Sequence, residues 1–291
     1  MVYVTYIEGS RDDYVKYCDG TSMYIPDAYS AETVTYGDCV TSINNQAFEN
    51  SYNLKSVTIS NSVTSIGDSA FSFCSGLTSI IIPDSVTSIG SSAFNTCTSL
   101  SSVTIGSGVT TIGIGAFSNC SGLTSVTIPD SVTSIGIDTF YYCTSLSSVT
   151  IGSGVTTIGN GAFSNCSGLT NVAIPDSVTS IGKYAFISCS SLTSVTIGSG
   201  VTTIGIGAFN YCRGLTSVTI PDSVTSIGIE AFDSCSGLTS VTVEALTPPK
   251  LGDNSVFNNT NDCPIYVPAE SVEAYKSASG WSYYKNRIHP M

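Results

Sequence analysis

Charge is scarce in this chain. Only 10% of its 291 residues are Asp, Glu, Lys or Arg, against about 25% in ordinary globular domains. Basic residues are fewest: 9 Lys and Arg face 21 Asp and Glu, a formal net charge of -12. That balance argues against nucleic-acid binding through a basic face. A single histidine, His289, argues against His-based catalysis and most metal enzymes. No apolar run is long enough to predict a membrane span. The opening residues Met1–Glu8 lack a basic region followed by an apolar one. They predict either a route other than Sec export or a leader outside this sequence. Hydrophobic residues still make up 42%, which separates the chain from disordered sequences. Ser, Thr and Gly take the place of the missing charge.

What is present is a repeat. Nine Phe recur every 23 residues, from Phe48 and Phe71 through Phe140 to Phe232. Eight Cys follow three positions behind, from Cys74 to Cys235, and nine Leu hold the same spacing from Leu54 to Leu238. One unit reads Leu123-Thr-Ser-Val126-Thr-Ile128-Pro-Asp-Ser-Val132-Thr-Ser-Ile135-Gly136, then Phe140 and Cys143. A second period of 46 residues overlies the first. Ile-Pro-Asp-Ser begins at Ile82, Ile128, Ile174 and Ile220, and Ile-Gly-Ser-Gly at Ile105, Ile151 and Ile197. The alternation reads as duplication of a pair of units.

Each unit contains two strand-like runs. In the first, Val126 and Ile128 alternate with Ser125 and Thr127, so one face is apolar and the other polar. Pro-Asp or Gly-Ser ends it with turn chemistry. The second, Val132–Ile135, ends at Gly136, where a left-handed or tight conformation is expected. Ala-Phe-x-x-Cys suits one turn of helix. Each unit is thus one coil of a solenoid with Leu, Val, Ile, Val, Ile, Ala, Phe and Cys pointing inward. A lone coil cannot bury enough surface to stand alone, so stability comes from stacking and the ends need caps. Residues 1–30 break the repeat and predict an N-terminal cap, a β-hairpin of Val2–Ile7 with Tyr14–Tyr17. The array spans 31–243. Residues 244–291 predict a C-terminal cap: a strand at Ile265–Pro268, then a helix over Ser271–Asn286 with Val272, Tyr275, Trp281 and Tyr284 packed inward.

These residues resemble the BspA-like, or Treponema pallidum-type, leucine-rich repeat family. The matching motif is Leu-x-x-Val-x-Ile-Pro-x-Ser-Val-x-x-Ile-Gly-x-x-Ala-Phe-x-x-Cys. It covers residues 31–243, about three-quarters of the chain. The tail Ile265-Tyr266-Val267-Pro268, with Ser271–Lys276 and Trp281, is similar to the terminal segment of gut-bacterial members. The resemblance implies a leucine-rich repeat solenoid of the α/β type, mostly β, with a parallel β-sheet on its concave face and a cap at each end. It also implies an extracellular or cell-surface protein. Some members act as adhesins for host matrix proteins or other cells, and the family has no shared catalytic residues.

Function is therefore sought in surfaces. The first candidate is the polar side of the first strand in each coil: Ser56, Thr58, Ser79, Ser102, Thr104, Ser125, Thr127, Ser148, Thr150, Asn171, Ser194, Thr196, Ser217 and Thr219. It reads as a solvated face of high β-propensity or as a face for a protein or glycan on a host or neighbouring cell. An ice-ordering hydroxyl ladder is a remote alternative, since Ile81 and Ala173 interrupt the rows. The second candidate is the variable edge with Phe73, Tyr141, Tyr142, Tyr184 and Tyr211, where aromatic contact residues would sit. The cysteines read as a ladder of buried free thiols, because stacked in-register side chains are parallel and too far apart to bridge. Cys18, Cys39 and Cys263 lie outside the ladder, and Cys18–Cys39 is the pair where a disulfide is conceivable. No metal site or cofactor is expected: Cys-x-x-Cys pairs and partner histidines are missing. Asp84, Asp130, Asp176 and Asp222 read as turn-fixing residues. The sequence thus predicts a non-enzymatic surface binding or adhesion protein. The alternative is a virion protein or another surface protein delivered without Sec.

Overall fold

A computed structural model describes the backbone of residues 4–8 and residues 32–38 and 40–291. The chain forms a parallel-strand β-solenoid of about eleven turns with coils of about 23 residues. The strand Leu-x-x-Val-x-Ile builds a wide sheet. Successive coils pair in perfect register, Ser125 with Ser148 and Ile128 with Ile151. Among the described residues, ten strands from Ser79–Ile82 to Ile288–Pro290 form one continuous sheet. The second run builds a narrow sheet of two-residue strands, with Ser134 opposite Thr157 and Ile135 opposite Ile158.

The third side is not the predicted turn of helix. Around Ala-Phe the backbone alternates between bonds inside the coil and bonds to the next coil. Phe71 N–H donates to Ala93 O and Phe73 N–H to Asn95 O, both at 2.7 Å. Ser72 N–H, between them, turns back to Ser69 O. Left-handed residues at Ser69 and Phe73 make the alternation possible. The segment therefore satisfies every second N–H along the solenoid axis, as a ladder does, and the others within itself.

All eight inward positions of the repeat are buried. Ten of the eleven phenylalanines, from Phe48 to Phe257, form one column with centroids 5.2–5.6 Å apart and planes within 10° of parallel. Tyr36 closes one end of the column edge-on at 6.1 Å. Beside it runs the thiol ladder: each Sγ donates to the Phe carbonyl 26 residues earlier, as from Cys74 to Phe48 O at 3.1 Å and from Cys166 to Phe140 O at 3.1 Å. Cys74 through Cys235 and Cys263 are free and buried. Cys18 and Cys39 lie outside the described residues.

The glycine after each Ile is required by close approach, not by handedness. A Cβ on Gly182 would lie 2.5 Å from the backbone of Gly159 in the preceding coil, and Gly136 likewise has no left-handed φ. The left-handed residue comes two positions later, at Ser92, Gly115, Asp138, Gly161, Tyr184, Gly207 and Glu230. Every second coil has Gly there. That glycine makes room for its larger neighbour: a Cβ on Gly161 would meet Asp138 Oδ1, and one on Gly207 would lie 2.6 Å from the Tyr184 ring. Burial raises the pKa of the Asp138 carboxyl above the ordinary value.

The turns alternate with the same period. Asp84 Oδ1 accepts from Ser107 N–H at 2.7 Å and Ser107 Oγ at 3.0 Å, and Asp130–Ser153 and Asp176–Ser199 repeat the arrangement. The Asp therefore holds the Gly-Ser-Gly turn of the next coil. Gly108 fits only because it lacks a side chain, since its Cβ would collide with Asp84 O. The 46-residue period is thus a packing rule, not only a trace of duplication.

At the N-terminal end, strand Val4–Glu8 pairs antiparallel with Thr33–Tyr36, the first repeat strand. The other arm of the predicted hairpin, Tyr14–Tyr17, falls outside the described residues. At the C-terminal end the coil geometry continues past Val243. Lys250–Leu251 joins the narrow sheet, Phe257 stacks on Phe232, and Ile265–Val267 joins the wide one. The predicted long helix is shorter: an α-helix spans Val272–Ser277, Gly280 turns the chain at φ 80°, and a 3-10 helix spans Trp281–Arg287. Strand Ile288–Pro290 then adds to the wide sheet. Tyr275, Trp281 and Tyr284 are buried and Val272 is half-buried. The three buried rings bond to the carbonyls of Ala245, Pro249 and Asn254, at 2.7, 2.7 and 2.6 Å. They thereby cover the end of the Phe column and satisfy its last loop.

Candidate ligand-binding surface

The wide sheet positions the first candidate set. Along each strand Val and Ile turn inward, and the alternation leaves the residues between them exposed. The exposed positions form two columns. One holds Ser56, Ser79, Ser102, Ser125, Ser148, Asn171, Ser194 and Ser217, and the other Thr58, Thr104, Thr127, Thr150, Thr196 and Thr219. Neighbours within a column stand about 4.8 Å apart and the columns about 7 Å apart. Ile81, 68% exposed, and Ala173 break the threonine column. Toward the C-terminal end the threonine column runs into Tyr266 and His289, whose rings lie 6.2 Å apart.

The structure separates two kinds of hydroxyl that look alike in sequence. Just outside the wide sheet, Thr124 Oγ1 donates to Ser101 O at 3.2 Å and Ser147 Oγ to Thr124 O at 3.0 Å, and the row continues coil by coil. Thr156 and Thr179 do the same beside the narrow sheet. These hydroxyls tie coils together. The hydroxyls of Ser102, Thr104, Ser125, Thr127, Ser148 and Thr150 have no partner among the described residues. Their donors and acceptors face solvent. Between Ser56 and Thr242 the two columns carry no charge.

The second candidate set divides. Phe73, Tyr142 and Tyr211 share one column, each directly before a ladder cysteine, and are 39%, 43% and 43% exposed. Tyr141 lies beside Tyr142, ring centroids 4.8 Å apart. The Arg213 guanidinium lies 5.3 Å from the Tyr211 ring. Tyr184 belongs to a different column, next to Gly207. The edge is therefore two aromatic features, not one.

Six thiols of the ladder are held neutral. Burial pushes Cys74 up to about 12 and raises Cys120, Cys143, Cys166, Cys189 and Cys212 well above the ordinary thiol range. A thiol held neutral is a poor nucleophile and a poor metal ligand. Among the described residues no group of His, Cys, Asp and Glu is placed to hold a metal ion. Nor is any helix long and apolar enough to cross a membrane.

Coil length, strand pattern and stacked core define a leucine-rich-repeat solenoid. A family model described as BspA type leucine rich repeat region matches in six copies, over residues 26–147 and 133–263. The chain belongs to that family, whose members are typically cell-surface proteins and typically non-enzymatic scaffolds. Among solved structures it is similar to a leucine rich cell surface protein of Faecalibacterium prausnitzii A2-165, at 29% identity, covering 86% of this chain and 82% of that one, with a TM-score of 0.45. It is also similar to a leucine-rich repeat protein of Bacteroides ovatus ATCC 8483, at 25% identity, 91% and 85% coverage and a TM-score of 0.48. The leucine rich repeat protein of T. pallidum is 26% identical, with 75% and 87% coverage and a TM-score of 0.45. No curated protein matches the chain.

Proposed function

We propose that this is a surface-displayed, non-enzymatic binding protein whose wide sheet engages a protein or glycan on a host or neighbouring cell. The observation that carries the reading is the contrast between hydroxyl rows. Those at the edges are spent on the coil below, while on the sheet the hydroxyls from Ser102 to Thr150 are unspent and both rows are uncharged, the serine row running on coil after coil with Asn171 in line and the threonine row broken at Ile81 and Ala173. A rigid sheet presenting many weak polar contacts in fixed register binds through their number, with little ordering cost on its own side. Removal of one 46-residue pair, Leu123–Gly168, shortens the face while keeping the turn alternation. On a panel of matrix proteins, mucins and glycans, the full chain binds at least one component, and the shortened chain binds it more weakly. Equal affinity for the two chains contradicts a distributed face.

A further inference from the structure

We propose that the edge carrying Phe73, Tyr142 and Tyr211 is a second binding site, a track for a linear, uncharged, β-linked glycan lying along the solenoid axis. The proposal is independent of the sheet-face reading. The three residues recur every 69 positions, which is every third coil. Successive aromatic platforms are therefore roughly 15 Å apart. All three are left-handed, with φ of 61°, 58° and 60°. Aromatic side chains avoid that conformation, whereas Asn tolerates it. Asn119 and Asn165 hold the same place in neighbouring coils at φ of 59° and 60°. The coil thus does not need an aromatic there, and exposure of about two-fifths means that burial does not compensate for it. Strain kept at an exposed position points to use.

The chemistry of the column selects the ligand. Between the platforms it presents Thr96, Asn119, Asn165 and Ser188, and from Phe73 to Ser234 the column carries no charge. Amides and hydroxyls interleaved with flat apolar rings match a pyranose chain, whose ring faces are apolar and whose rims are hydroxyl. An extended β-linked hexose chain advances by about one coil per sugar. Every third sugar then meets an aromatic platform, and a heptasaccharide reaches all three.

The test is calorimetric titration of the full chain with cello-oligosaccharides of three to eight units, with maltoheptaose as an α-linked control. Affinity is expected to rise at least tenfold from the trimer to the heptamer, and maltoheptaose is expected not to bind. Tyr142→Asn places in this coil the residue its neighbours use, so it folds, melts slightly higher and loses about tenfold in heptamer affinity. Tyr142→Phe retains it. Absence of cello-oligosaccharide binding overturns the proposal, as does affinity independent of chain length or unchanged in Tyr142→Asn. Glycan binding lost in Thr127→Arg but kept in Tyr142→Asn also overturns it and moves the glycan to the sheet.

Discussion

Deleting an odd number of coils should harm this protein more than deleting an even number. Removal of Leu146–Gly168 takes out one Gly-Ser-Gly coil and stacks two Pro-Asp-Ser coils. Pro175, Ser177 and Tyr184 then occupy the places of Gly152, Gly154 and Gly161. At each of those glycines even a Cβ approaches the preceding coil too closely: Pro129 at 2.5 Å for Gly152, and Asp130 O and Asp138 Oδ1 for the other two. Asp130 also loses both bonds to Ser153. Two hydrogen bonds at about 1 kcal/mol each and three steric conflicts at roughly 1–3 kcal/mol each add to about 5–11 kcal/mol. That equals the whole stability of a typical domain. Removal of Leu123–Gly168 takes out twice as many residues but recreates a native junction, because Gly106-Ser107-Gly108 again precedes a Pro-Asp-Ser turn. Thermal melts followed by circular dichroism should show the shorter protein cooperative and close to the parent, and the longer one molten or melting far lower. Equal losses of Tm in the two variants would refute the packing rule.

Other consequences follow from single sites. Thr139 stands where eight coils have Ala. Beside it the narrow sheet divides between Thr111–Ile112 and Ser134–Ile135, so Thr139→Ala should close the break and stabilise by about 1 kcal/mol, read as a small rise in Tm. Phe163→Ala removes a fully buried ring between Phe140 and Phe186 and should cost about 3–5 kcal/mol in urea unfolding. Gly182→Ala should be costlier than an Ala at exposed Ser190, since only the former drives a Cβ into the preceding backbone; matched urea titrations check it. The raised thiols predict alkaline sensitivity. Their folded pKa lies above the unfolded value near 9, so their full contribution is present below about pH 9 and is progressively lost as pH rises above it. Each thiol adds up to about 1.4 kcal/mol per pH unit to that fall. Cys143→Ala should therefore flatten the decline of stability above pH 9.

Much of the fold was legible because a parallel solenoid writes its register into one fixed spacing. Phe140, Cys143, Leu123, Val126 and Ile128 are buried as their period demands. The errors came where neighbours in space, not in sequence, decide the backbone. Ala-Phe-x-x-Cys has helical composition, but the peptide groups of Phe71 and Phe73 find partners one coil away. Gly136 signalled a turn, while coil-to-coil approach is the constraint on its row and the left-handed residue follows it by two. Gly280 inside the last helical pattern marked a break that the apolar spacing of Tyr275, Trp281 and Tyr284 concealed. The candidate surface was visible as alternation, yet Thr124 and Thr127 look equivalent in sequence. Only stacking distinguishes a hydroxyl bonded to Ser101 O from one facing solvent.

The central claim is that the wide sheet is the ligand face. Its most direct test places one bulky charge on each side of the same region: Thr127→Arg on the wide sheet, Thr157→Arg on the narrow sheet and Ile137→Arg at the start of the third side, where another coil carries Lys183. Binding of each variant to the component recognised by the full chain is then measured by surface plasmon resonance. The account predicts loss of binding in Thr127→Arg and near-parental affinity in the other two. Full affinity in Thr127→Arg, with loss in either of the others, contradicts it.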